Sequence, residues 1–93
     1  MPDPKSMLET TLTALQRQRD ELRVKIHLGS MEARDEYERV SARIDEVTKQ
    51  YEPLTDAVGE TANNVFSALG LAAEELVHGF NRVRRALDEK KES

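Results

Sequence analysis

The feature that most constrains this chain is a stripe of apolar and small residues running through residues 8–58. Leu8, Leu12, Leu15, Leu22, Ile26, Gly29, Ala33, Tyr37, Val40, Ile44, Val47, Tyr51, Leu54 and Val58 follow in steps of three and four, with polar Arg19 at one seam position. Alternating steps of three and four keep side chains on one face of a helix, the pattern of a coiled-coil seam. The consecutive four-residue steps Gly29–Ala33–Tyr37 form a stutter, which locally relaxes the supercoil. The fold class read from this pattern is all-α.

Punctuation along the chain divides the stripe. Ser6 and Glu9 have capping-box spacing, which starts the first helix near Ser6; Asp3 followed by Pro4 is a competing start. Pro53 removes an amide donor and pushes Glu52 toward an extended backbone, so the first helix is expected to end near residue 52. Thr55-Asp56 or Gly59-Glu60 then opens a second helix running to about residue 89. The expected organisation is one helical domain over residues 1–93: helix 1 about 6–52, a turn about 53–59, and helix 2 about 56–89.

Gly29-Ser30 is the ambiguous point. Glycine followed by serine reads as the end of one helix and the cap of the next, and a break there would give a three-helix bundle. The apolar phase nevertheless passes through Gly29 without slipping. That favours a continuous helix, with Gly29 marking a place where another helix comes close. The leading expectation is therefore a long helical hairpin, with the three-helix bundle as the alternative.

The hairpin has unequal arms. Helix 1 would be about 70 Å long and helix 2 about 50 Å, at 1.5 Å per residue. Leu8, Leu12 and Leu15 would overhang with no partner in their own chain. Helix 2 carries Ala62, Val65, Leu69, Ala73, Leu76, Phe80, Val83 and Leu87 on its core stripe, and between residues 57 and 80 its only charges are Glu60, Glu74 and Glu75. Phe66, Leu71 and Val77 widen that face, so one neighbouring helix leaves part of it uncovered. The expected oligomer interface is Leu8, Leu12, Leu15, Phe66, Leu69, Ala73, Leu76 and Phe80. Two chains joined there would form a homodimeric four-helix bundle, and another helical protein is the alternative partner. A rival reading lays the face of residues 57–80 on a bilayer as a peripheral contact, against which its shortage of lysine and arginine counts.

Chemistry is sparse. The chain has no cysteine, which removes disulfides and thiolate chemistry. No acidic pair is set up for acid–base work, and no glycine-rich phosphate loop is present. His27 and His78 would face each other across a hairpin turned at Pro53, with Glu74 and Glu75 near His78. Two histidines without ligand spacing do not define a metal site, so no metal or other cofactor is assigned. A net charge of −4 argues against a nucleic-acid partner. No small-molecule substrate is evident, no enzyme activity is expected, and the expected compartment is the cytoplasm.

The stretch Ala33-Arg34-Asp35-Glu36-Tyr37 on a long charged helix, followed by an Ala/Gly-rich helix with spaced aromatics, resembles small bacterial coiled-coil proteins described as stress-response proteins. The likeness spans about residues 10–87. It departs from them at Phe66, where a tryptophan would be expected. The resemblance implies a helical hairpin, no enzyme activity and a stress-related or envelope-associated role, and it transfers no site residues.

Overall fold

The computed structural model describes residues 3–92, with side chains described as far as Asp88. Three α-helices make up the fold: α1 (Pro4–Lys25), α2 (Met31–Tyr51) and α3 (Glu60–Glu92). The chain is all-α and folds as a three-helix bundle; α1 and α3 run parallel, with α2 antiparallel between them in sequence. Helix α3 is the spine. It packs along both other helices, which contact each other less.

The expected continuous helix over residues 6–52 is therefore corrected to two helices. Ile26–Leu28 tighten into a 3-10 turn, and Gly29 and Ser30 leave helical geometry. The caps foreseen at this point are formed. Gly29 N donates to Ile26 O at 2.9 Å, and Ala33 N donates to Ser30 Oγ at 3.2 Å. Arg34 Nη2 also reaches back to His27 O at 3.1 Å, satisfying a carbonyl that the helix end would leave orphaned. Phase continuity did not mean helix continuity, because the seam residues of the turn itself still face inward. Gly29 and Ala33 are buried and Ile26 is partly buried. Folding back also covers Leu8, Leu12, Leu15 and Leu22. Each buried leucine contributes about 1.5–3 kcal/mol, which together outweighs the cost of one interrupted helix.

Helix α1 begins at the earlier of the two starts. Asp3 is its N-cap, with Ser6 N donating to Asp3 Oδ1 at 2.7 Å and Pro4 in the first turn. The Ser6–Glu9 box is not used. Met1, Pro2 and Ser93, and the side chains of the basic end at Lys90 and Lys91, lie outside the described residues.

Helix α2 ends at Tyr51, and Pro53 lies in a 3-10 turn over Glu52–Leu54, as a helix-stopping proline should. Of the two expected starts for the last helix, the later one is used. Gly59 adopts φ +107°, which only glycine takes without strain, and Asn63 N donates to Gly59 O at 3.0 Å. Lys5 Nζ donates to Thr55 O, tying the start of α1 to this connection.

The core is a single cluster from all three helices. Two aromatic pairs join α2 to α3: Tyr37 with Phe80 and Tyr51 with Phe66, each with ring centroids 5.9 Å apart. Tyr37 also donates its hydroxyl to Arg19 O at 3.1 Å, linking α1 to the same contact.

Candidate interaction surface

The residues expected to join two chains lie inside one. Leu8, Leu12 and Leu15 from α1, and Phe66, Leu69, Ala73, Leu76 and Phe80 from α3, are all buried in the intrachain core. In the single chain these side chains are covered by their own bundle. With α1 folded back there is no leucine overhang, and the wide apolar face of α3 is shared between α1 and α2. An apolar stripe in a sequence calls for burial but does not say which chain supplies the cover.

What remains exposed is a narrower surface. Residues 61–73 of α3 carry no charge, and their outward side chains include Asn64, Ser67, Ala68 and Leu71. Beside them, Met7 on α1 is 52% exposed and Leu71 is 67% exposed. The two flank a shallow groove of about 270 Å3, lined also by Pro4, Thr11, Phe66, Ser67, Gly70 and Glu74. Gly70 forms an open part of its wall: a Cβ placed there would meet nothing within 4 Å. The strip is an uncharged shelf on α3, with acidic side chains beyond it at Glu60 and at Glu74 and Glu75.

A second groove, between α2 and α3, of about 400 Å3, is lined by charges that pair with one another. Glu36 is 17% exposed and accepts from Arg82 Nε at 3.1 Å and Nη2 at 2.8 Å, while Arg39 holds its other oxygen. Helix α3 comes very close here. A Cβ on Gly79 would lie 2.6 Å from Val40 Cγ2.

A third exposed group sits at the α1–α2 turn. Val24, Leu28 and Met31 are 69%, 69% and 79% exposed.

The two histidines are not brought together as a hairpin at Pro53 would require. His27 lies in the α1–α2 turn, at the level where Gly29 meets Leu87. His78 is nine residues back along α3, roughly 13 Å at 1.5 Å per residue. Both are exposed. Among the described residues no three His, Asp or Glu side chains gather where a metal ion could be held.

Among the described residues three buried side-chain atoms lack a hydrogen-bond partner: Gln18 Oε1, Ser41 Oγ and the Tyr51 hydroxyl, the last at the α2–α3 contact. Burial pushes the Tyr51 pKa up from the usual 10.0, and the nearby Glu9 carboxylate adds to the shift. Sequence reading placed Tyr51 in the seam but gave no sign of its stranded hydroxyl, since that depends on what α1 sets beside it.

Compared with known proteins, the chain matches no family model, no curated protein and no solved structure. Within the described residues no helix is long and apolar enough to cross a membrane.

Proposed function

We propose that this protein is a non-enzymatic helical adaptor that receives a helix of a partner on the uncharged strip of α3 beside Met7. The observation that carries the reading is the Gly70 groove, with Met7 and Leu71 exposed on its rims and Glu74 at one end. A second copy of the chain is the first partner to test, and another helical protein is the alternative. On this reading the protein works in the cytoplasm, and the resemblance to small bacterial coiled-coil proteins suggests a stress-related setting.

Sedimentation equilibrium up to several hundred micromolar tests the second copy. On a Met31→Pro background, where α1 and α2 cannot fuse into one helix, the protein should still self-associate, and Leu71→Glu with Met7→Glu should abolish that association while circular dichroism stays unchanged, because both side chains are exposed. A strictly monomeric Met31→Pro protein removes the second copy as the partner.

The rival reading is a lipid surface. The negative charges bracketing the strip oppose anionic headgroups, which favours the protein partner. Flotation with neutral and anionic vesicles separates the two. A protein that floats through Met7 and Leu71 is a bilayer reader, and the adaptor proposal then fails.

A further inference from the structure

The α1–α2 turn is almost a helix. Lys25 (φ −97°, ψ −18°) and Ile26 (φ −66°, ψ −30°) are right-handed helical, and Ile26–Leu28 form a 3-10 turn. Only Gly29 (φ −85°, ψ 171°) and Ser30 (φ −68°, ψ 166°) depart, and both depart in ψ alone. Their φ values already suit a helix. Rotating two ψ angles would fuse α1 and α2 into one helix, along which the seam Leu22, Ile26, Gly29, Ala33 runs in unbroken phase.

Val24, Leu28 and Met31 supply the second observation. Around the closed turn they are three separately exposed apolar side chains. On a continuous helix their spacing of four and three places them in one stripe centred on the hinge. A stripe centred there is what two such helices would share if they crossed antiparallel about a two-fold axis.

We propose that this chain forms a domain-swapped homodimer by opening at Gly29-Ser30. In it, α1 of each chain leaves its own bundle and fills the same place in the partner's, so Leu8, Leu12 and Leu15 pack against the partner's α3. The packing of α1 against α2 and α3 is remade with the partner chain, while α2 and α3 of each chain stay together. Exchange of an identical element is a low-cost route to a dimer for that reason. The balance is set at the hinge. Gly29 in mid-helix disfavours the open form, while in the closed form it leaves room for Leu87, whose Cδ2 would lie 2.7 Å from a Cβ at position 29. The Val24–Leu28–Met31 crossing favours the open form. None of this uses the α3 strip, so the proposal stands or falls separately from the adaptor reading.

The test uses the absence of cysteine. Arg19 and Asp45 form an ion pair between α1 and α2 at 2.9 Å. With Arg19→Cys and Asp45→Cys, a short bismaleimide joins the two helices within one chain in the monomer and between chains in the swapped dimer. A dimer built on the α3 strip would still cross-link within each chain. Protein refolded at high concentration is then compared on three hinge backgrounds. Gly29→Ala favours the continuous helix at two hinges per dimer and should raise the dimer constant on the order of 30-fold. Ser30→Ala removes the cap of α2 without adding a contact and should act in the same direction. Met31→Pro sits at the first helical position of α2, behind an extended Ser30, where proline is well accommodated. In a continuous helix it is strongly disfavoured, so it should block the swap. The expected result is an interchain cross-link that grows with Gly29→Ala and Ser30→Ala and vanishes with Met31→Pro. The proposal is overturned if the Ser30→Ala protein is folded and only monomeric, or if any dimer formed cross-links within its chains. Because Ser30→Ala introduces no clash, it decides the matter even if Gly29→Ala misfolds against Leu87.

Discussion

Two glycines of α3 should respond oppositely to the same substitution. In a helix interior alanine is favoured over glycine by about 1 kcal/mol. At Gly70 nothing opposes that gain, since the added Cβ would meet no atom within 4 Å. Gly70→Ala should stabilise the protein by about 0.5–1 kcal/mol. At Gly79 the same Cβ would lie 2.6 Å from Val40 Cγ2. Carbon atoms pack comfortably at about 3.5–4.0 Å, so roughly 1 Å must be found. Val40 is buried and β-branched, and it has little freedom to turn away. Such overpacking costs about 1–3 kcal/mol, which equals or exceeds the propensity gain. Gly79→Ala should thus fall between neutral and about 2 kcal/mol destabilised, measured by urea unfolding as a change in midpoint at constant slope. In a domain of this size each kcal/mol moves the melting temperature by about 4–8 °C, so the two variants should separate clearly. Val40→Ala combined with Gly79→Ala should recover part of the clash. Were Gly79→Ala as stabilising as Gly70→Ala, the close approach of α2 to α3 would be wrong.

Other perturbations test other parts of the bundle. Leu15→Ala empties a fully buried site and should cost about 2–5 kcal/mol, whereas Leu71→Ala on the exposed strip should change stability by less than about 0.5 kcal/mol; denaturant unfolding of both at low micromolar concentration checks this. Because the folded-state pKa of Tyr51 is raised above its unfolded value of 10.0, its neutral hydroxyl supports the fold fully below pH 10 and that support is lost as pH rises through the folded value. Tyr51→Phe should therefore blunt alkaline unfolding at little or no cost at pH 7, read by ellipticity against pH. The Asp3 carboxyl is held below its usual 3.8 by hydrogen bonding to Ser6, so its support for the first turn of α1 is present above that value and fades as pH falls through the lower folded pKa. Asp3→Asn keeps the cap and should remove this acid dependence, followed by the Ser6 amide resonance.

Much of the bundle is written openly in the chain. The seam positions, the proline that stops α2, the glycine that opens α3 and the core residues of α3 all follow from periodicity and cap chemistry. The hardest point was Gly29-Ser30. Both residue types there announce a turn, yet the turn is a 3-10 segment whose inward positions coincide with the seam, so the apolar phase runs through it undisturbed. A hairpin and a three-helix bundle then share one pattern. The choice between them is made by burial of Leu8, Leu12, Leu15 and Leu22, a tertiary quantity. The expected interface shares this ambiguity, because residues that would join two chains in a hairpin complete the core of one chain in the bundle. The exposed strip beside Met7 was partly legible as an uncharged run. Its groove was not, since it depends on which face of α3 the first helix leaves open.

The most direct test of the fold-back is amide hydrogen exchange on dilute, monomeric protein, resolved along α1. If α1 completes the core of its own chain, amides from Leu12 to Leu22 exchange as slowly as those at the centre of α3. Rapid exchange throughout α1, with α2 and α3 still protected, would mean that the first helix has no partner in its own chain, and the three-helix account would be wrong.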